Sequence, residues 1–284
     1  MAYNVVLTAS PRAGLSDAQV TEVREQIPGA GAPKRLSASA VEIMSPAPVS
    51  FEISDADVNC IPAENRRKRL LIADMDSTMI PVECIDEVAD FAGVREQVVA
   101  ITEPAMRGEI SFEEALRARV ALIKGLCADK LQQVYDERVT LNPGARTLVQ
   151  TMRAHGGHAA LVSGGFTFFT ERVAMAAGFN ENRANILTIE DGALTGTVHD
   201  PILGRTAKVE ALNEITGRLG IGLGDALAVG DGANDLGMID AAGLGVAYHA
   251  KPVVAQAADC AISHGDLTAL LYLQGYSESE FATG

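Results

Sequence analysis

The stretch Leu-Leu-Ile-Ala at residues 70–73, followed at once by Asp74 and Asp76, constrains the fold of this chain most strongly. Four consecutive apolar residues are typical of a buried strand in a parallel sheet. Two carboxylates one residue apart are unusual at the end of such a strand, because removing like charges from water is costly unless a cation or hydrogen bonds compensate. We therefore expect a divalent metal ion with oxygen ligands at this position.

From residue 69 onward, apolar strand-like runs alternate with segments that have a helical pattern. Strands are predicted at residues 70–73, 158–162, 226–229, 244–246 and 260–262, and helices at residues 143–155, 167–177, 206–219 and 235–242. This alternation predicts an α/β fold with a Rossmann-type parallel sheet covered on both faces. The two short apolar runs within residues 186–198 predict a β-hairpin.

About 60 residues without a strand pattern separate the first of these strands from Pro143. Their periodicity predicts helices at residues 83–91, 95–101, 112–123 and 129–139. An insertion of this length exceeds a simple strand-to-helix connection, so we expect a helical cap at about residues 82–142. The cap belongs to a domain at residues 66–284, which follows a small N-terminal α+β region at residues 1–65. In that region, strands are predicted at residues 3–8, 40–43 and 49–53, and a helix at residues 16–26.

The composition of the chain indicates which kinds of binding partner and which cellular location to expect. A net charge of −14 argues against nucleic acid, since binding to phosphate backbones requires a basic surface. No apolar run approaches the ~20 residues that a membrane span requires, and the N-terminus lacks the pattern of a signal peptide. The four cysteines have no metal-binding or disulfide spacing and predict free thiols in a reducing cytoplasm. We expect a cytoplasmic protein that acts on a small molecule, and the sequence leaves homo-oligomerisation open.

Polar residues follow several of the predicted strands at the point where each strand ends. Asp74 and Asp76 follow the first, Ser163 and Gly164 the second, and Asp231 the third. Because ligands bind at the carboxyl ends of strands in open α/β sheets, we expect these residues to meet at one edge. A serine hydroxyl and a glycine backbone N–H suit phosphate oxygens, and carboxylates suit Mg²⁺.

Two basic residues on predicted helices extend this pattern. Lys208 lies near the start of the helix at residues 206–219, where it can neutralise phosphate charge and hold a nucleophile in place. Arg119 lies beside the apolar stripe of the helix at residues 112–123, so its side chain should point inward. A buried guanidinium needs an anion, which is either a ligand or a carboxylate of the cap such as Glu83.

These residues, together with Glu83 and the Gly-Asp-Gly-Ala-Asn-Asp segment at 230–235, resemble the phosphoserine phosphatase family of the haloacid dehalogenase superfamily. The family's Asp-x-Asp-x-Thr pattern is matched at residues 74–78, and residues 108–120 resemble its cap. Where the family often has phenylalanine, this chain has Met75. The similarity covers about residues 66–275, and residues 1–65 resemble a short, divergent form of the ACT-like region found in many bacterial members.

The resemblance implies Mg²⁺-dependent hydrolysis of O-phosphoserine to serine and phosphate, the last step of serine biosynthesis, through an aspartyl-phosphate. It implies that Asp74 is the nucleophile, that Asp76 is the general acid and base, and that Lys208 assists. Arg119 would bind the substrate carboxylate and Glu83 the ammonium group. The implied substrate-binding residues are Glu83, Arg119, Ser163, Gly164 and Asn234. The implied metal ligands are Asp74, Asp76 and Asp231.

Two other functions are weighed against this one. A phosphatase or phosphotransferase of the same superfamily for another small phosphomonoester would keep the core motifs, but it would not need Glu83 and Arg119. An inactive amino-acid sensor would rely on the N-terminal region, and the intact Asp74 and Lys208 argue against it. Dehalogenation is disfavoured because Asp76, the acid that an ester leaving group needs, is present.

Overall fold

The N-terminal region forms an antiparallel sheet with one face covered by a helix. The computed structural model describes residues 2–106 and 109–282, so Gly108 of the cap stretch lies outside it. The elements are β1 (Tyr3–Thr8), α1 (Asp17–Glu25), β2 (Lys34–Ser37), β3 (Ala40–Ser45) and β4 (Asp57–Pro62). The strand order is β2-β3-β1-β4, and neighbouring strands are antiparallel. Ser16 and Gln19 form a capping box that starts α1.

The strand predicted at residues 49–53 is wrong. That segment is irregular, and β4 occupies the sheet edge beside β1. Pro46 and Pro48 precede the segment and lack the amide donors that a strand needs. Val49 and Phe51 instead pack against the apolar cluster between α1 and the sheet. The alternating apolar residues therefore reflect burial and not strand pairing.

A cap of helices follows β5 (Leu70–Ala73). Its elements are α2 (Cys84–Phe91), α3 (Arg95–Met106), α4 (Phe112–Leu122) and α5 (Asp129–Arg138). Ser111 and Glu114 form a capping box at the start of α4. In the described part of residues 74–142 there is no strand, as the sequence predicts. Helix α3 ends at Met106, five residues beyond its predicted end at residue 101.

The parallel sheet carries the rest of the chain. Its further strands and the adjoining hairpin are β6 (His158–Phe166), β7 (Glu181–Asn185), β8 (Leu187–Glu190), β9 (Ala193–Val198), β10 (Ala226–Gly230), β11 (Leu244–Tyr248) and β12 (Cys260–Ile262). The helices are α6 (Ala145–Ala154), α7 (Thr167–Ala177), α8 (Arg205–Leu219), α9 (Leu236–Ala241), α10 (Pro252–Ala257) and α11 (Ala269–Leu273). The hydrogen-bonded order is β12-β11-β10-β5-β6-β7, and all pairs are parallel. Within the described ranges, no helix is long and apolar enough to cross a membrane.

Both faces of β5 are buried. Leu71 and Ala73 belong to an apolar cluster that includes residues of α6, α7 and α11. Leu70 and Ile72 belong to a second cluster that includes residues of α8 and α9. The predicted α/β fold with both sheet faces covered is therefore confirmed, and the chain leaves β5 from the centre of the sheet.

The β8–β9 hairpin joins the cap to the rest of the domain. Its turn places Asp191 at φ 50° and Gly192 at φ 77°, the left-handed conformation of a tight hairpin turn. The Gly125 N–H donates to the Leu194 carbonyl at 2.8 Å, and the Leu194 N–H donates to the Leu126 carbonyl at 2.9 Å. The predicted hairpin thus forms and holds the end of α4.

Polar contacts attach the N-terminal sheet to the parallel sheet. The Asn59 side chain on β4 donates to the Ala261 carbonyl at 3.0 Å and accepts from the Ala261 N–H at 2.9 Å. Arg66 pairs with Glu42 at 2.7 Å, and both side chains are only 12% exposed. The two sheets therefore meet along the β12 edge through fixed hydrogen bonds.

Candidate active site

The end of β5 places Asp74 at the carboxyl edge of the parallel sheet. The Asp74 N–H donates to the Val229 carbonyl at 3.0 Å, and the residue is only 5% exposed. Its Oδ1 accepts from the Met75 N–H at 2.7 Å and lies 2.8 Å from Lys208 Nζ. Its Oδ2 has only a long contact, 3.4 Å, from the Asn234 amide. One carboxylate oxygen is therefore held firmly, and the other is less engaged.

Lys208 on α8 is a buried cation between two carboxylates. Its Nζ lies 2.5 Å from Oδ1 of Asp235, in addition to the contact with Asp74. The second oxygen of Asp235 accepts from the N–H groups of Asp231 at 3.2 Å and Gly232 at 3.1 Å. Burial alone would lower the pKa of Lys208, but the carboxylates of Asp235 and Asp74 raise the pKa above its ordinary value. Lys208 therefore stays charged.

Three carboxylates form a cluster that suits a hard cation. Oxygens of Asp74, Asp231 and Asp235 lie within 4.8 Å of one another. Burial and the neighbouring Asp235 raise the pKa of Asp231 to about 6. Burial and Asp235 also raise the pKa of Asp74 well above its usual value, against the effect of Lys208. Lys208 and two backbone N–H groups occupy the two oxygens of Asp235. Asp74 Oδ2 has only the 3.4 Å contact with Asn234, and Asp231 Oδ1 accepts from the Thr78 hydroxyl at 3.0 Å. Asp74 and Asp231 are therefore better placed to ligate a divalent cation, and these residues fit Mg²⁺.

The carboxylate of Asp76 faces a different direction. Its Oδ1 accepts from the Cys84 N–H at 2.9 Å, and its Oδ2 accepts from Ser163 Oγ at 3.3 Å. Burial and the Glu83 carboxylate raise the pKa of Asp76 to about 7. The structure thus places this side chain beside Ser163 and outside the carboxylate cluster, and a metal-binding role for Asp76 stays a prediction.

The predicted phosphate cradle lies where β6 continues past residue 162 with a shift of register against β7. Ser163 Oγ accepts from the Gly165 N–H at 2.9 Å. A Cβ atom on Gly165 would lie 2.8 Å from Asp76 Oδ2, and one on Gly164 would lie 2.8 Å from Phe112 Cζ. Side chains at these two positions would clash, so the glycines are required for the close approach of the cap and of the loop that carries Asp74 and Asp76.

Asn185, which the sequence alone does not single out, supports this cradle from the end of β7. The residue is 3% exposed. Its Nδ2 donates to the carbonyls of Gly164 at 2.9 Å and Leu203 at 3.3 Å, and its Oδ1 accepts from the Leu203 N–H at 2.7 Å. It therefore ties the cradle to the segment that leads into the helix of Lys208.

Arg119 is half-buried on the inner side of α4. Its Nε donates to the Ala115 carbonyl at 3.2 Å. Burial lowers the pKa of the guanidinium, while the carboxylates of Asp86, Glu83 and Asp76 oppose that effect. Among the described residues no carboxylate lies within the 4.0 Å of an ion pair with Arg119, so the alternative of a salt bridge within the cap is not formed there.

Glu83 and Phe112 bring the cap onto the parallel-sheet domain. Glu83 lies immediately before α2, and its Oε1 accepts from Ser77 Oγ at 2.7 Å. Phe112, at the start of α4, lies over Gly164 and within 3.5 Å of the position of a Cβ atom on Gly204. These contacts place the start of α4 against Gly164 and the residue before α2 against the loop after β5.

Known proteins with similar sequences and structures include hydrolases and phosphatases. Residues 71–240 match the family of haloacid dehalogenase-like hydrolases. A phosphoserine phosphatase of Polaromonas sp. is 50% identical over 210 residues, which are 72% of this chain and 89% of that protein. A haloacid dehalogenase family hydrolase of Salmonella enterica serovar Typhi has a TM-score of 0.84 at 28% identity, covering 96% of this chain and 98% of its own. A substrate-bound phosphoserine phosphatase complex has a TM-score of 0.68 at 40% identity, covering 72% of this chain and 98% of its own.

The chain therefore belongs to the haloacid dehalogenase-like hydrolases and, within them, to the phosphoserine phosphatase family. It is an enzyme, a phosphatase, as the sequence predicts. The match to the Salmonella structure extends over nearly the whole chain, whereas the Polaromonas protein matches about three quarters of it.

Proposed function

We propose that this phosphatase hydrolyses O-phosphoserine to serine and inorganic phosphate. The observation that carries the proposal is Arg119, a half-buried guanidinium under the cap with no carboxylate partner in the described ranges. A cation in that state suits a substrate carboxylate, which a guanidinium can bind with two parallel hydrogen bonds. Glu83, which borders the same cap, is the candidate partner for the substrate ammonium group. The phosphoserine phosphatases among the relatives support this choice.

In the first step, a carboxylate oxygen of Asp74 attacks phosphorus, and the bond from phosphorus to the serine oxygen breaks. The product is an aspartyl-phosphate. The leaving serine oxygen takes a proton from Asp76, whose raised pKa of about 7 keeps a large protonated fraction at neutral pH. The fixed position of Asp74 between Met75 and Lys208 supports its assignment as the nucleophile.

In the second step, the ionised Asp76 removes a proton from water, and the water oxygen attacks the same phosphorus. The bond from phosphorus to Asp74 breaks, which releases phosphate and restores both carboxyl groups to their starting states. Asp76 thus acts as an acid and then as a base, and a pKa near the working pH suits both tasks.

Positioning and charge account for most of the rate in such reactions. We propose that Ser163, Gly164 and Asn234 hold the phosphate oxygens while Lys208 balances their charge. Mg²⁺ at Asp74 and Asp231 would supply further positive charge to the phosphoryl group. In this proposal the enzyme works in the cytoplasm and catalyses the last step of serine biosynthesis. Its domains are the N-terminal region and the parallel-sheet domain into which the cap is inserted.

A phosphate-release assay over a panel of phosphomonoesters tests the proposal. The panel contains O-phosphoserine, O-phosphothreonine, glycerol phosphate and p-nitrophenyl phosphate, each with Mg²⁺ and with EDTA. We expect kcat/KM for O-phosphoserine to exceed that for glycerol phosphate and p-nitrophenyl phosphate by about a hundredfold or more, because these two esters lack the carboxylate and ammonium groups and leave Arg119 and Glu83 unpaired. O-phosphothreonine keeps both charged groups, so it should remain a better substrate than these two esters. Asp74→Asn should lose turnover, while Asp240→Asn, an exposed control, should not. Preference for another ester would select the alternative phosphatase, and a complete lack of turnover would select the sensor.

A further inference from the structure

A cavity of about 610 Å³ lies outside the catalytic residues, where three parts of the chain meet. Its walls include Ser10 and Arg12 from the loop after β1, Ser77 from the loop after β5, Asn142 from the end of the cap, and His249 from the loop after β11. Like the candidate active site, it lies at the carboxyl ends of parallel strands, where α/β proteins bind ligands. Its size is in the range of small-molecule sites, about 300–1,000 Å³.

Hydrogen-bond donors without partners line this cavity. In the described part of the chain, neither the Arg12 guanidinium nor the Ser10 hydroxyl has a hydrogen bond or an ion pair. Tyr248 is only 4% exposed, and its hydroxyl likewise has no hydrogen-bond partner among those residues. Burial and Asp266 raise the pKa of Tyr248 to about 12, so the group stays a donor. An unpaired guanidinium and two hydroxyls at one cavity of a protein with net charge −14 indicate a site for an anion.

The histidines of the wall add to this arrangement. His249 has φ 44°, a left-handed conformation that non-glycine residues adopt mainly at turns and functional sites. Its Nε2 lies 3.1 Å from the Gly265 carbonyl, which can only accept, so that nitrogen is the donor. His264 adds a second imidazole. Asp266 is the opposing charge, and its Oδ1 accepts from the N–H and the hydroxyl of Thr268.

The N-terminal region builds this cavity together with the parallel-sheet domain. It supplies Ser10 and Arg12 directly. From β4, the Asp57 carboxylate accepts from the N–H groups of Ser263 at 2.7 Å, His264 at 3.1 Å and Gly265 at 2.9 Å, which fixes the opposite wall. The N-terminal region therefore forms part of a cavity that lies outside the candidate catalytic residues.

The cavity touches two catalytic segments. Ser77 belongs to the nucleophile loop, and its hydroxyl donates to Glu83 at 2.7 Å. Two residues beyond His249, the Lys251 N–H donates to the carbonyl of Asp231 at 3.4 Å. A ligand in the cavity would therefore contact the loops that hold the nucleophile and a candidate metal ligand.

We propose that this cavity is an effector site for a small organic oxyanion, a carboxylate or a phosphate monoester, held by Arg12, Ser10 and Tyr248. Binding requires no turnover, so the proposal can fail or succeed independently of the proposed substrate. Loss of Arg12 removes the charged donor and should weaken binding about tenfold or more.

Imidazole NMR signals provide a local readout, because the chain has only five histidines. His249 and His264 line the cavity, whereas His155, His158 and His199 contact other parts of the molecule and serve as internal references. Succinate and inorganic phosphate are titrated separately into the full-length, Mg²⁺-loaded enzyme. Saturable shifts of the two cavity histidines with succinate indicate a carboxylate ligand, and shifts with phosphate indicate a phosphate ester.

The variants Arg12→Ala and Arg24→Ala complete the experiment. Arg24 is an exposed arginine of α1, away from the cavity, so it is the matched control. We expect wild type and Arg24→Ala to show the histidine shifts, and Arg12→Ala to bind the probe about tenfold more weakly. We also expect the probe to change KM or kcat in wild type and Arg24→Ala but not in Arg12→Ala. Phosphate bound as product affects all three proteins alike. No saturable shift, a shift unchanged in Arg12→Ala, or binding without any kinetic change would each overturn the proposal.

Discussion

The Lys208 ammonium nitrogen lies 2.8 Å from Oδ1 of Asp74, and both side chains are almost completely buried. The pair shares its interior with Asp235, whose Oδ1 lies 2.5 Å from the same nitrogen. A buried charge is stable only when it is paired. The fold therefore places the carboxylate of the proposed nucleophile, Asp74, beside the charged Lys208 before any substrate binds.

Replacing Lys208 by methionine should destabilise the protein strongly. The variant leaves Asp74 and Asp235 as buried carboxylates without a cation, which costs about 3–5 kcal/mol of unfolding free energy. Urea denaturation followed by circular dichroism at pH 7 measures the loss. Lys130→Met, an exposed control on α5, should change stability by less than about 0.5 kcal/mol. A loss of similar size in both variants would mean that Lys208 is not needed to offset the two carboxylates.

Replacing Asn185 by aspartate should lower catalysis and also stability, because it places a buried carboxylate without a cation beside the carbonyls of Gly164 and Leu203. The carboxylate keeps the acceptor for the Leu203 N–H but removes the donor to the Gly164 carbonyl. A cradle displaced by about 1 Å can cost about a hundredfold in rate, so we expect kcat/KM to fall by roughly tenfold to a hundredfold. Steady-state kinetics measure this, with the exposed Asn213→Asp as control. Wild-type kinetics in Asn185→Asp would show that the Gly164 peptide needs no support.

Replacing Arg119 by alanine should change substrate preference. If the guanidinium binds the substrate carboxylate, the variant should lose about 2–5 kcal/mol of transition-state stabilisation for O-phosphoserine. The ratio of kcat/KM in wild type and variant measures this loss. Hydrolysis of p-nitrophenyl phosphate, which has no carboxylate, should fall much less. Arg117→Ala is the control, since Arg117 lies exposed on the same helix and pairs with Asp200. An equal loss for both substrates would mean that Arg119 only supports the cap.

The metal-free protein should lose stability as pH rises from about 5 to about 7.5. The folded-state pKa values of Asp76, about 7, and Asp231, about 6, lie above the unfolded value of about 3.9. The folded protein therefore holds protons that the unfolded chain has released, and this contribution disappears as pH rises through the folded values. Against the effect of burial, basic side chains beside Glu42 and Glu181 lower the pKa values of these two carboxyls. Protonation of these two groups therefore affects stability only at pH values below this range.

Urea midpoints in EDTA at pH 5 and pH 7.5 measure this dependence. Mg²⁺ should restore more stability at the higher pH, because protons no longer compete for the carboxylates. Asp231→Asn should reduce the pH dependence, and Asp240→Asn should leave it unchanged. A metal-free protein equally stable at both pH values would contradict the raised pKa values.

Replacing Asp76 by asparagine should separate the two chemical steps. With p-nitrophenyl phosphate, whose leaving group needs no proton, the phosphorylated enzyme should still form. Its hydrolysis should slow by about 10²–10⁴-fold, because no base activates the water. Rapid-quench detection of phosphate bound to protein measures both rates. Fast hydrolysis of the phosphorylated variant would assign the base to another residue.

The sequence alone determined the parallel sheet, the helical cap and the β8–β9 hairpin. Strands such as Leu70–Ala73 are buried on both faces, so they appear as continuous apolar runs that local pattern reveals. Because parallel strands end at one edge, the sequence also indicated that Asp74, Ser163 and Asp231 meet. The strand predicted at residues 49–53 failed because burial without strand pairing produces the same alternation of apolar residues.

Only the tertiary structure revealed β7 (Glu181–Asn185), the support that Asn185 gives to Gly164, and the direction of the Asp76 carboxylate. The sequence of β7 is polar and lacks the apolar alternation that marks a strand, because β7 lies at the edge of the sheet. The contact between Asp76 and Ser163 joins residues 87 positions apart. Hydrogen bonds of this kind depend on where the packed elements place each donor and acceptor, and no local pattern in the sequence encodes that placement.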